Sequence, residues 1–219
     1  TGAIAKKGVD PNSEVRVIYD GTRGVFLNYG IRIRDQIKFP GAPDIKAVLA
    51  ELYDEGGSFV TILFDVSKAH RRVPVVESEW GRLACQVKGS AATTAQAKRS
   101  RSRSKGVPAP LVRSDFSPQE LAEDVYLNKV GTFGVSSAGY WWGRAGAAAM
   151  RLGHYLVGFE NAIWALLYSD DGDLIGRTEY PERGLLTFLL VLVLVGIPLS
   201  WKKLRGGTKV EWIGYLLDV

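Results

Sequence analysis

The stretch 161–176 limits the fold more than any other part of the chain. Two apolar runs, 161–168 and 172–176, flank the short polar sequence Ser169-Asp170-Asp171. Apolar segments of strand length on either side of a turn-forming cluster read as a β-hairpin, and this one carries an acidic pair at its tip. A second acidic feature matches it. Residues 59–66 (FVTILFDV) form a short apolar run of strand length that meets Asp65. Carboxylates at strand ends can converge from two strands of one sheet, as oxygen ligands must to hold a hard, octahedral cation such as magnesium. Two such ions about 4 Å apart can activate an attacking hydroxyl and stabilise a leaving phosphate oxygen. Acidic residues also favour turns for local reasons, so the pair alone does not assign chemistry.

Around these two features the chain alternates between strand-like and helix-like patterns. Residues 14–19 (EVRVIY) read as a strand closed by Asp20-Gly21, and 31–34 alternate apolar and basic as a half-exposed strand or extended segment. Asp44 is placed to cap a helix whose apolar face is Ile45, Val48, Leu49 and Leu52. Residues 73–76 and 83–87 are weaker strand candidates. Residues 137–157 read as a helix with Met150, Leu152 and Tyr155 available to a core. The apolar stretch 185–199 falls short of the roughly 20 residues that span a bilayer; a helix over 185–195 is predicted, with Leu189, Leu192 and Val193 buried. The chain closes on a hairpin-like pair, 199–202 and 210–217, around Gly206-Gly207. Strands and helices in irregular order imply an α+β domain built on an antiparallel sheet.

The net charge of +5 looks like a signal for nucleic acid until it is located. Lys98, Arg99, Arg101, Arg103 and Lys105 supply all of it, and the remaining 23 basic residues balance 23 acidic ones. Any nucleic-acid argument therefore rests on placed residues and not on bulk basicity. The basic run lies in 88–124, rich in Ser, Arg, Ala and Pro, which reads as an exposed, disordered insertion. The single Cys85 excludes an intrachain disulfide and a cysteine zinc cluster. With no secretory pattern in 1–20, an intracellular location, cytoplasm or nucleus, is expected.

Further blocks accompany the acidic features. In FDVSKAHRRVPV, Asp65 is followed by the small Ala69 and by Val73-Pro74; VGTFGVSSAGYWWGR centres on Phe133-Gly134 with Ala138 after it. Tyr168 to Asp171 spell YSDD, GIPLSWKK ends on Lys203, and VEWIGYLLD contains Trp212-Ile213-Gly214-Tyr215. Upstream, VRVIYDGT holds Arg16 and Asp20, with Lys6-Lys7 nearby. In this order and over nearly the whole chain, these blocks resemble the reverse transcriptases of retroviruses and long-terminal-repeat retrotransposons.

That resemblance implies a polymerase palm, an antiparallel sheet flanked by helices, with partial fingers and no thumb. It implies fingers and the start of the palm in 1–64, palm with the first catalytic aspartate in 65–87, the insertion in 88–124, and the remaining palm in 125–219. The activity implied is RNA-directed DNA synthesis with two magnesium ions, manganese being the alternative. Asp65, Asp170 and Asp171 would serve the metals, and the Val66 carbonyl would complete one shell. Lys6 or Lys7, Arg16, and the backbone near Lys68 and Ala69 would hold the triphosphate. Phe133 and Gly134 would line the nascent base pair, and Lys203 would neutralise or protonate the leaving pyrophosphate. Trp212, Ile213, Gly214 and Tyr215 would grip the primer. The partners implied are an RNA or DNA template–primer and deoxynucleoside triphosphates, with no membrane; thumb, ribonuclease H and integrase regions are expected of such a polyprotein but do not appear in this sequence.

Departures from the family bear on substrate. His70 stands where a Phe or Tyr usually excludes the ribose 2′-hydroxyl. Gly172-Asp173 replaces apolar residues, with Asp173 expected to be solvated. A retroelement remnant that at most binds nucleic acid, or an RNA-dependent RNA polymerase, are the competing readings.

Overall fold

The computed structural model describes residues 2–5, 15–23, 26–86 and 125–219. In chain order its elements are β1 (Gly2–Ala5), β2 (Val15–Ile18), the short α1 (Leu27–Gly30), α2 (Ala42–Glu55), β3 (Phe59–Asp65), β4 (Ala84–Gln86) and β5 (Val125–Leu127). They continue with α3 (Ser136–Val157), β6 (Trp164–Tyr168), β7 (Asp171–Arg177), α4 (Thr187–Leu194), β8 (Arg205–Gly207), β9 (Lys209–Trp212) and β10 (Tyr215–Asp218). Helices combined with antiparallel strand pairs make this an α+β chain. It divides into two compact units, Thr1–Gln36 with His70–Trp141, and Ile37–Ala69 with Trp142–Val219.

In the first unit β1 pairs antiparallel with β2, and β4 with β5. Its core gathers Tyr19, Leu83, Val135 and Ala138, with Leu27, Ile31 and Val75 against them. Residues 31–34 form no strand. Ile31 packs on this core while Arg32 and Arg34 stay exposed, and alternation without a partner strand leaves the segment irregular. Of 73–76, only Pro74 makes an isolated bridge, to Val130. Lys6, Lys7 and the whole of 88–124 lie outside the described residues.

The second unit is built on a four-stranded antiparallel sheet in the order β6-β7-β3-β8. Alternation along β3 sends Phe59, Thr61, Leu63 and Asp65 to one face. α2 and the β9–β10 hairpin cover that face, packing Ile45, Val210, Trp212 and Leu217 on Leu63, and Leu52 on Phe59 and Ile175. Asp44 serves α2 from the third helical position, not as the cap itself: Gly41 is the N-cap, and its N–H donates to Asp44 Oδ2 at 2.9 Å. The aspartate thereby satisfies a donor that a helix start leaves orphaned.

On the other face the ring of Phe64 lies over Gly172, its register partner, where an added Cβ would stand 2.0 Å from the ring. Gly146 in α3 admits Leu167 of β6, and Gly153 admits Phe188 of α4. Small residues along α3 thus let it lie close to the layer beneath. Met150 is buried as expected, but Leu152 is exposed and Tyr155 strongly so. A helix does form within 185–195, entered through a π-helical turn at Glu182–Leu186. Leu189 and Leu192 are buried, whereas Val193 is 39% exposed, because α4 is apolar on every side and only part of its surface is covered. No helix among the described residues is long and apolar enough to cross a membrane.

The end of the chain pairs differently from the expectation. Gly206-Gly207 is strand, not turn: β8 adds to the sheet beside β3, while β9 and β10 form their own hairpin. Its turn is Ile213-Gly214, both at positive φ, 43° and 85°. That is the type I′ pattern, whose twist suits a two-residue hairpin. Of 199–202, Leu199 bridges Val66 and Trp201 begins a short 3₁₀ turn, Trp201–Lys203.

Candidate functional site

Strand register brings the sequence-predicted carboxylates together. Asp65 ends β3 and Asp171 begins β7, and the two are direct partners in the ladder. Partner residues on one face of an antiparallel pair hold their Cβ atoms about 5 Å apart. Asp170 occupies the β6–β7 turn, and its carbonyl accepts the Val66 N–H at 2.7 Å, which locks the tip of the hairpin to the end of β3. The turn itself has two residues. Ser169 sits at φ 55°, while Asp170 keeps an ordinary negative φ, so a non-glycine residue holds a left-handed conformation. The buried Trp142 pins it, its indole N–H donating to the Ser169 carbonyl at 2.8 Å.

The electrostatics of this corner follow from crowding. Burial pushes the Asp171 carboxyl above the usual carboxylate range, and the charges of Asp170 and Asp65 push it further; Lys203 and Arg205 oppose them. Lys203 donates to Asp65 Oδ2 at 2.5 Å, so an ammonium stands where Asp65 would otherwise face its acidic neighbours alone. A 3₁₀ turn and the bond from the Ser200 N–H to the Asp65 carbonyl, 2.8 Å, carry Lys203 to that position. Among the described residues no three Asp, Glu, His or Cys side chains are gathered closely enough to grip an ion as they stand. The donor set nonetheless suits a hard divalent cation: acidic oxygens that repel one another, partly offset by lysine and arginine.

Asp173 corrects the sequence expectation. Far from being solvated, it is fully buried on the sheet face covered by α2 and the β9–β10 hairpin, and Thr61 donates a hydrogen bond to its Oδ1. Its Oδ2 has no partner among the described residues. Burial pushes its pKa up to about 6, the Thr61 bond pulling the other way.

In the first unit a cavity of about 380 Å³ is lined by Asp20, Asn28, His70, Phe133, Gly134 and Ser136, among others. The backbone N–H groups of Thr22 and Arg23 donate to Asp20 at 2.9 and 3.0 Å and hold its carboxyl below the usual range. Asn28 joins the walls, donating to the Gly134 carbonyl at 2.8 Å and accepting the Ser136 N–H at 2.9 Å. Gly134 is required here: at φ 89°, a Cβ would stand 1.5 Å from the Tyr19 carbonyl oxygen. His70, in the 3₁₀ turn Ala69–Arg72, tilts against Phe133 with ring centres 4.7 Å apart.

The remaining predicted residues fall as follows. Arg16 lies on β2, paired with Ile4. In the second unit Lys68 is exposed at φ 56°, and Ala69 is buried. Trp212 is buried in the core beneath its hairpin, whereas Gly214 and Tyr215 are exposed at the tip. Asn28, Trp142 and Arg205 were missed by the sequence reading. Each is a single polar or aromatic residue in an unremarkable context, and only pairing or packing across the fold reveals it. The sequence matches no protein-family model and no curated protein.

Proposed function

We propose that the chain is a template-directed nucleotidyltransferase of the reverse-transcriptase type, joining deoxynucleotides on an RNA template. The observation that carries the reading is the ladder pairing of Asp65 with Asp171, with Asp170 bonded into the same corner and Lys203 on Asp65. Asp65 and Asp170 would hold two magnesium or manganese ions with the Val66 carbonyl, Asp171 adding its charge beside them. The ions would supply Lewis-acid activation of the attacking hydroxyl and neutralise the leaving phosphate oxygens. Lys203, which pairs with Asp65 and is otherwise open to solvent, would donate a proton to the departing pyrophosphate. The cavity beside His70 and Phe133 is of a size to accept part of a nucleotide. The exposed tip Gly214-Tyr215, and not the buried Trp212, is what the hairpin offers a primer.

Primer extension tests the proposal, on RNA and DNA templates with magnesium or manganese and with deoxy- and ribonucleotides. The wild-type chain is expected to extend with deoxynucleotides on RNA. Asp65→Asn and Asp170→Asn are each expected to lose at least about a thousandfold, the scale of removing a preorganised electrostatic group. Preferential use of ribonucleotides would favour the RNA-polymerase reading. No extension under any condition, with duplex binding retained, would leave nucleic-acid binding as the function.

A further inference from the structure

We infer that Arg205, with the bare strand edge beside it, holds a backbone phosphate of the nucleic-acid strand being extended; the inference rests on the nucleotidyl-transfer reading. β8 is the outer strand of the sheet and consists of Arg205, Gly206 and Gly207. Register sets Arg205 opposite Leu63, one alternation step from Asp65 and on the same face. Its Nη2 donates to the Glu211 carbonyl at 3.2 Å, which ties the guanidinium to β9. No ion pair joins it to a carboxylate of the described residues. The side chain therefore stands on the hairpin side of the acidic corner, whereas Lys203 is committed to Asp65.

Next to it the sheet edge presents backbone alone. Gly206 is exposed and Gly207 half-buried, and neither has a side chain to keep a ligand away. A guanidinium has five N–H donors in a planar fork, of which one is used here. Four remain, in the geometry that meets two oxygens of one phosphate. A phosphodiester fits better than a free triphosphate, because Arg205 is anchored to the strand that leads into the hairpin turn with its exposed Gly214.

The test is fluorescence anisotropy of a labelled primer–template duplex across a salt series, with wild type, Arg205→Ala, Arg205→Gln and Lys209→Ala. Lys209 carries the same charge on the neighbouring hairpin strand but is paired with Asp218 at 2.8 Å, which makes it the control. Arg205→Ala is expected to weaken binding about tenfold and to lower the slope of log affinity against log salt by about one, as the loss of one phosphate contact does. Arg205→Gln should lower the slope equally, and Lys209→Ala should change neither quantity. At saturating duplex the nucleotide KM of Arg205→Ala should match wild type. Equal losses in Arg205→Ala and Lys209→Ala, or no loss in either, would overturn the inference, as would a raised nucleotide KM with an unchanged salt slope. Failure of the wild-type chain to extend any primer refutes the nucleotidyl-transfer reading instead, and the anisotropy series still reports on Arg205.

Discussion

Replacing Asp173 by Asn should make the protein more stable, and by an amount that grows with pH. The carboxyl is fully buried, with one oxygen bonded by Thr61 and the other without a partner among the described residues. Its pKa rises from 3.8 to about 6 in the folded state. A group whose folded pKa is raised contributes its stability below the unfolded value and loses it as pH climbs through the folded one. The shift of roughly two units, at about 1.4 kcal/mol each, corresponds to about 3 kcal/mol in all, most of it lost between pH 4 and pH 7. Asn keeps an oxygen for Thr61 but cannot ionise. The stability difference between Asp173→Asn and wild type, read from urea unfolding at each pH, should therefore rise by about 2–3 kcal/mol from pH 4 to pH 8. In melting temperature that is roughly 5–12 °C for a chain of this length. All other titrating groups are common to the two proteins and cancel in the difference. Amide exchange on β3 and β7 reads the same quantity for the second unit alone. Parallel pH profiles for the two proteins would refute the reasoning and mean that water reaches the carboxyl.

Other expectations can be checked in the same proteins. Asp65→Asn should lower the pKa of Asp171 and Lys203→Met should raise it, both read by carboxyl carbon NMR, since Asp65 repels and Lys203 attracts that charge. Gly134→Ala should destabilise the first unit by at least about 3 kcal/mol, since it adds a backbone collision to a left-handed φ; unfolding followed at Trp80 measures it. Leu192→Ala, at a buried position on α4, should cost about 2–5 kcal/mol, whereas Leu194→Lys, at a site 75% exposed, should stay within about 0.5 kcal/mol of wild type. His70→Phe should sharpen the preference for deoxynucleotides and His70→Ala relax it, by about 1–3 kcal/mol in relative incorporation efficiency. Equal ratios in the three proteins would remove His70 from sugar selection.

Where one local pattern decided the outcome, the sequence was legible. The run ending at Asp65 became β3, the flanks of Ser169-Asp170 became β6 and β7, and the small-residue segment became α3. The ladder pairing of Asp65 with Asp171 was open to the sequence only as a possibility, since acids at strand ends can meet at one end of a sheet but the register is set by the pairing itself. Competition between partners hid the rest. Gly206-Gly207 looks like a turn in isolation, yet β3 offers an open edge that a side-chain-free strand fits, with a Gly206 Cβ only 2.9 Å from the Thr61 carbonyl oxygen. The solvation of Asp173 was misjudged for a similar reason. Register sets it on the face of Leu63 and Asp65, and only the arrival of α2 and the distant β9–β10 hairpin decides that this face is dry.

The contact between Phe64 and Gly172 carries an evolutionary consequence. At Gly172 the space a side chain would take is filled by the Phe64 ring. No side chain can be introduced at 172 while the ring is present, since any Cβ would meet it. Nor is a smaller residue at 64 a free first step, because it empties a buried site beside the acidic corner. The two positions are thus bound in reciprocal epistasis: each substitution is harmful alone and acceptable only together with the other. Descendants of this chain should keep Phe64 and Gly172 together or exchange both, and an ancestral reconstruction that alters one without the other describes a protein that folded poorly.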